Sequence, residues 1–438
     1  MAAAEPRGHR AAIEIVDSAN LNSIMHVDQR SPDGSDTLGL EGQYLIRSYS
    51  HSIVIDRGEG CYMYDAAGNR YLDFMSGIGV NALGMAHPRI VQAMHEQVDQ
   101  LVHCSNLYAH AHQGPLAERL AEASGLQRVF FTNSGAECIE GAIKIAKGHG
   151  RKISADKYEI VALNNSFGGR TLAAIAVTGQ EKHREPFEPL IPGVKFIDAN
   201  DVAALESAVG ENTAAILFEP ILGEGGIVQI DREFAAKAAE LAQKHDALLI
   251  FDEIQTGLGR TGKHFAYQWW NELGWNESAD AEPILPDILV TAKPLGGGLP
   301  LGAIIANEKA AGVITPGIHG STFGGNALAC RVAIEFLDIL DELLPQINET
   351  GDYFGSRLHG LVEKYDFVQG VRGRGVMRGI NLTVPGKSVV GQCQQRGLLI
   401  NCTADTVLRF LPPYIIERGQ IDELIGALDD IFAQGPPE

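Results

Sequence analysis

Three short stretches place chemically capable side chains directly after runs of apolar residues. Asp252-Glu253-Ile254-Gln255 follows Leu248-Leu249-Ile250-Phe251, Thr291-Ala292-Lys293 follows Ile288-Leu289-Val290, and Thr132-Asn133-Ser134-Gly135-Ala136 follows Val129-Phe130-Phe131. A carboxylate at the end of a buried strand is costly unless a cation or hydrogen-bond donors hold it. A lysine between such a strand and the glycine-rich Pro294-Leu295-Gly296-Gly297-Gly298 can lose its hydration. Its pKa then falls, and the amine becomes a nucleophile toward carbonyl compounds. A glycine turn that opens a helix points unpaired N–H groups and the positive end of the helix dipole outward, a seat for phosphate. Each stretch also has a plainer reading: a serine N-cap, an aspartate capping the next turn, a lysine pointing into water.

Taken together, a phosphate seat, a strand-end acid and a strand-end lysine match one cofactor rule. Pyridoxal phosphate (PLP) is held as a Schiff base on a lysine, with an acid at its ring nitrogen. No Walker-type GxxxxGK[ST] accompanies the seat, and Gly373-Arg374-Gly375 lacks the context of a dinucleotide loop.

Such residues need a scaffold whose strands end at one crevice, as in open α/β sheets. The apolar runs above, with Ile160-Val161-Ala162-Leu163 and Ala215-Ile216-Leu217-Phe218, suit parallel strands covered on both faces. Between them, Ile139, Ala142, Ile143 and Ala146 recur at helical spacing, and Phe234 to His245 has similar character. Earlier, Ile53 to Phe74 reads as short antiparallel strands with a hairpin turn at Asp65-Ala66-Ala67-Gly68-Asn69. A helix from about Ala329 to Leu344, strands near Gly379–Leu382 and Leu408–Phe410, and a helix from about Asp422 read as a smaller α+β domain. The expected division is a flexible tail 1–35, a segment 36–75 joining the small domain, a large domain 76–328 and a small domain 329–438. Asn271 to Pro286 reads as an exposed loop insertion.

Composition narrows the partners. With 35 Lys+Arg against 55 Asp+Glu the formal charge is −20, which argues against nucleic acid or an anionic membrane surface. No apolar run reaches the ~18 to 20 residues of a membrane span, and Glu5 and Pro6 interrupt any signal-peptide core; a soluble cytoplasmic protein is expected. The cysteines at 61, 104, 138, 330, 393 and 402 form no CxxC pair, so neither disulfides nor zinc is expected. His87, His95, His103, His110 and His112 lie close in sequence but lack a metal-binding pattern.

Over about residues 40 to 430 the sequence resembles the class III, or ω-amino-acid, PLP-dependent aminotransferases of fold type I. The resemblance is carried by Phe251-Asp252-Glu253-Ile254-Gln255-Thr256-Gly257-Leu258-Gly259-Arg260-Thr261-Gly262, by Ala292 to Gly298, and by Gly320-Ser321-Thr322-Phe323-Gly324-Gly325-Asn326. Phe74 to Gly84, Phe131 to Glu137, Glu219-Pro220, Gly223-Glu224-Gly225-Gly226 and Leu408 to Pro413 support it. It implies a large, mostly parallel sheet domain with helices on both faces plus a smaller α+β domain. Lys293 would carry PLP, Asp252 would face the ring nitrogen, Gln255 the phenolic oxygen, and Phe167 would stack on the ring. Ser134, Gly135 and Ala136 would hold the phosphate, and Thr322 would reach the phosphate in a neighbouring subunit, which implies a homodimer with sites at the interface. Arg170, with Ser321 nearby, would bind the substrate α-carboxylate. Arg409 would bind a carboxylate of the oxo-acid, with Glu224 as its switch partner.

The implied reaction moves the terminal amine of N2-acetylornithine to 2-oxoglutarate, giving N-acetylglutamate 5-semialdehyde and glutamate. Ornithine, 4-aminobutyrate or another ω-amine are alternative donors, and a PLP-dependent racemase or aminomutase is an alternative of another class. The sequence departs from the family's pattern at Gly168, where His or Trp is usual, at Leu222 in place of Gln, at Pro294 after the lysine, and in the longer 271–286 loop. Gly168 lies beside the cofactor segment, where a change could alter substrate choice.

Overall fold

The computed structural model describes residues 34–272 and 282–437. Of the expected tail 1–35 and loop 271–286, residues 1–33 and 273–281 lie outside the described residues. Two compact units divide the described chain. The small one ends at Asp56 and takes in Asp65–Asn69; the large one comprises Arg57–Tyr64 and the chain from Arg70 onward. In the small unit, helix Ser35–Tyr44 is the main element.

The large unit is built on a seven-stranded sheet in the order 128–132, 302–306, 288–291, 248–252, 213–218, 159–163, 194–197. Neighbours are parallel except at Gly302–Ala306, which runs antiparallel to both Ile288–Thr291 and Arg128–Thr132. Alternation of side chains across a strand explains the uninterrupted apolar runs. Leu249 and Phe251 enter one core with Phe218, Phe234 and Phe336; Leu248 and Ile250 enter the opposite core with Ile139, Ile143 and Ala146. The expected strands are present, while Gly302–Ala306 and Val194–Ile197 are additional ones. Hairpin pairing is present as Tyr62↔Leu72, Met63↔Tyr71 and Tyr64↔Arg70, with Leu398–Leu399 added in parallel.

A third core gathers Leu72, Phe74, Phe354, Leu358, Ile380, Phe410 and Leu428. The helix expected to stop at Leu344 instead runs from Ala327 to Lys364 straight through Pro345. Losing one backbone donor is tolerable when both halves are buried: Phe336 and Leu340 lie in the first core, Phe354 and Leu361 in the third. The last helix begins at Arg418, a turn before the expected Asp422, because Glu417 and Gln420 close a capping box there. Among the described residues, no helix is long and apolar enough to cross a membrane.

Candidate active site

At the carboxyl ends of the central strands lies a cavity of about 400 Å³. Its wall includes Ser134, Gly135, Ala136, Phe167, Arg170, Asp252, Gln255 and Lys293, so residues from four separate stretches of sequence meet in one place. Helix Gly135–Ile153 starts at the rim, where Ser134 Oγ accepts from Glu137 N–H at 3.3 Å. Ser134 is therefore an N-cap, and Gly135 and Ala136 occupy the first helical positions, whose N–H groups have no intrahelical partner. Asn133 N–H and Nδ2 donate to the Glu137 carboxylate at 2.7 and 2.9 Å, fixing the turn.

Asp252 ends its strand fully enclosed, 5% exposed, with Oδ1 accepting from Ile254 N–H at 3.0 Å. Burial pushes its carboxyl well above the usual range, against the Ile254 bond and the Lys293 charge. Lys293 opens the short 3-10 turn Lys293–Gly296, with Pro294 in the first turn where no backbone donor is needed. Burial pushes the Lys293 amine down to about 8; the Arg409 charge adds to this, and Glu224, Glu219 and Asp252 oppose it. The result is a lysine poised to lose its proton near neutral pH.

Arg409 stands on strand Val407–Phe410 and is 1% exposed. Its Nη1 donates to Glu224 Oε1 at 2.5 Å, to Gln255 Oε1 at 3.1 Å and to Gly223 O at 3.3 Å, and its Nε to Asn401 Oδ1 at 3.1 Å. Burial alone would push the Glu224 carboxyl up, but the Arg409 charge and hydrogen bond hold it below the ordinary range. Gln255 thus joins the cavity to the Arg409–Glu224 pair. Arg170, by contrast, is exposed, its guanidinium lying 4.7 Å from the centre of the Phe167 ring.

Ser321 is held to the cavity rim through Asn133 Nδ2, which donates to its Oγ at 3.1 Å. Thr322 is exposed and does not line the cavity. His110 and Asn106 anchor the same loop, bonding Gly325 O at 2.7 Å and Ser321 O at 2.9 Å. His112 instead bonds Gln97 Oε1 at 2.8 Å.

Glu219 is a site residue that the sequence reading used only as supporting motif. It follows strand Thr213–Phe218, lines the cavity, and accepts from Phe167 N–H at 3.0 Å and Gly223 N–H at 2.9 Å. Burial first, and the Asp252 charge second, push its carboxyl up. The strand-end rule that selected Asp252 applies to it equally. Two of the departures from the family's pattern, Leu222 and Gly168, have local explanations. Leu222 is 2% exposed and packs in the first core. At Gly168 a Cβ would lie 2.6 Å from Ala174 O and 2.8 Å from Val177 Cγ2, so the glycine lets the loop close on itself rather than enlarging the cavity.

A desolvated lysine, a buried acid and a helix N-terminus thus line one cavity at the strand ends of this sheet. The chain belongs to the class-III aminotransferase family, whose model matches residues 45–432, and its fold is that of the type I PLP-dependent transferases. It is 43% identical to the acetylornithine aminotransferase of Methanocaldococcus jannaschii over 91% of this chain and 98% of that one. To the acetylornithine aminotransferase of Aquifex aeolicus it is 44% identical, over 89% of this chain and all of that one. Among solved structures, the ornithine aminotransferase of Toxoplasma gondii superposes with a TM-score of 0.85 at 32% identity, covering 95% of this chain and 99% of that one.

Proposed function

We propose that the protein transfers the terminal amine of N2-acetylornithine to 2-oxoglutarate with PLP as cofactor, giving N-acetylglutamate 5-semialdehyde and glutamate. The carrying observation is the enclosed Lys293–Asp252 pair beside an Arg409 already neutralised by Glu224, in a chain more than 40% identical to acetylornithine aminotransferases.

The residues fit the cofactor. Asp252 is a buried acid whose burial is offset once a protonated ring nitrogen faces it. The seat at Ser134, Gly135 and Ala136 suits a phosphate, and a Cβ at Gly135 would press on the Ile254 side chain, 2.8 Å from its Cδ1. Phe167 would stack on the ring, and Gln255 would face the phenolic oxygen, both from the cavity wall. When bound, PLP supplies the carbonyl that captures the substrate amine and the ring that accepts the electron pair released at the substrate carbon.

The chain's own residues do the rest. With PLP bound, Lys293 would move the proton released at the substrate's amine-bearing carbon; such positioned transfer contributes ~10² to 10⁴-fold. Asp252 keeps the ring nitrogen protonated. Arg170, with Ser321 of the cavity rim, binds the carboxylate far from the reacting carbon: the α-carboxylate of the donor and the γ-carboxylate of the oxo-acid. Glu224 neutralises Arg409 while the donor, whose reacting terminal carbon bears no carboxylate, is bound and releases it for the carboxylate next to the oxo group of 2-oxoglutarate. Exposed Thr322 reaches the phosphate in the neighbouring subunit of a homodimer. The large domain of this reading is 76–328 and the small one 329–438, and the enzyme works in the cytoplasm.

Ornithine as donor is the second reading, favoured by the fold match to an ornithine aminotransferase. Glutamate formation from 2-oxoglutarate with N2-acetylornithine, ornithine and 4-aminobutyrate in turn separates them. The highest kcat/KM on N2-acetylornithine is expected, and a higher value on ornithine would replace the first reading by the second. Exchange of the α-hydrogen without oxo-acid would point instead to a racemase or aminomutase.

A further inference from the structure

We propose that Glu140 is a positioning residue for Arg170: it anchors the chain just after Arg170 and so sets where the guanidinium meets the substrate carboxylate. The proposal rests on the reading of Arg170 given above. Glu140 lies on helix Gly135–Ile153, one turn beyond the phosphate seat. Its Oε1 accepts from Ala173 N–H at 3.0 Å and from Ala174 N–H at 3.4 Å. These N–H groups open helix Leu172–Ala176, whose N-cap Thr171 makes no side-chain cap bond. A carboxylate from a distant helix thus does the work that a local cap normally does.

The other end of the segment is also fixed. Gly168 N–H donates to Thr178 Oγ1 at 3.0 Å, and Thr178 Oγ1 donates to Ala174 O at 3.1 Å. Arg170 therefore sits on a short span between two anchored points. Its exposed side chain rests on the Phe167 ring, which leaves the backbone to decide its reach. A site whose supporting residues are lost keeps its groups but not their placement, and small displacements are costly to binding and rate.

Steady-state kinetics of the holoenzyme test this with Glu140→Ala, Glu140→Gln, Arg170→Ala and the double variant. Glu140→Ala is expected to raise KM for N2-acetylornithine and 2-oxoglutarate by about tenfold while leaving kcat and the cofactor absorbance as in the parent. Glu140→Gln, which keeps an acceptor oxygen, should restore KM to within about twofold. The double variant should be no worse than Arg170→Ala alone, and turnover of a primary amine lacking a carboxylate should not change. An unaltered KM in Glu140→Ala, or an equal loss with the carboxylate-free amine, overturns the anchor. Should Glu140→Ala not fold, Glu140→Asp gives the same KM readout with a shortened carboxylate. If Arg170→Ala leaves both KM values unaltered, the reading of Arg170 fails; if only Arg170→Ala raises them, the anchor alone fails.

Discussion

Arg409 donates to Glu224 across 2.5 Å from a position where 1% of its side chain meets solvent, while 28% of the Glu224 side chain does. The pair is lopsided: the cation is enclosed and the anion is partly open to solvent. Removing the anion leaves a buried guanidinium with Gln255, Asn401 and a carbonyl as partners. Glu224→Ala should therefore cost about 1–3 kcal/mol of stability. It should also narrow the preference for N2-acetylornithine over glutamate as donor by about tenfold, since a free Arg409 favours a second carboxylate. Competition kinetics with both donors check this, and an unchanged ratio would remove the switch role.

Lys293→Ala should abolish turnover with every donor, because no other cavity-lining side chain carries an amine. Borohydride treatment of the PLP-loaded parent should fix the cofactor to the peptide containing Lys293, and mass spectrometry of the variant should find no such adduct. Turnover at the parent rate would displace the lysine from its role.

Glu253 gives a pH test independent of catalysis. It is fully buried, accepting from Thr256 Oγ1 at 2.5 Å and Tyr267 N–H at 2.8 Å, and burial pushes its carboxyl from 4.5 to about 7. The raised value means that the neutral acid is favoured in the folded state. Its stabilising contribution is complete below the unfolded value and is lost as pH rises through about 7. The swing is at most about 3 kcal/mol. Glu253→Gln, of the same shape and always neutral, should gain Tm relative to the parent between pH 5 and 8.5 in the cofactor-free protein. A Tm difference that does not vary with pH would contradict the assignment.

Gly168→Ala should lower stability by about 1–3 kcal/mol, because the new Cβ meets the Ala174 carbonyl and Val177. Donor choice among ω-amines should hardly move. Thermal melting with a three-donor kinetic panel decides; a switch of preferred donor without loss of Tm would return Gly168 to a substrate role.

Thr322 can be tested by mixing subunits. Lys293→Ala and Thr322→Ala homodimers should each be impaired, and co-refolding them should recover activity, since each hybrid then contains one site built wholly from intact residues. No recovery on mixing would place Thr322 in its own subunit's site.

Much of the site was readable in the sequence because one rule, polar residues after buried strands, acts locally. It selects Asp252, Lys293 and the Ser134–Ala136 turn, which line one cavity, and it applies equally to Glu219. Arg409 and Glu224 were different: the strand-end rule does not select them and only the family resemblance pointed to them, because it is the pairing of strand 407–410 with 377–382 and 401–403 that carries Arg409 toward Gln255. Strand Gly302–Ala306 is a five-residue apolar run between Pro300 and Asn307, too short for periodicity to decide. Its antiparallel direction depends on partners far away in sequence. The helix expected to end at Leu344 is followed by Pro345, a poor helix residue, but burial on both sides of it overrides propensity.

The helix through Pro345 is also a mechanical part. At 38 residues it is a beam about 57 Å long. One end is capped by Asn326, directly after the Ser321–Thr322 loop; the other is embedded among Phe354, Leu358 and Leu361. A tilt of only about 3° along such a beam would move its far end by about 3 Å, so one continuous element joins the third core to the Ser321–Thr322 loop.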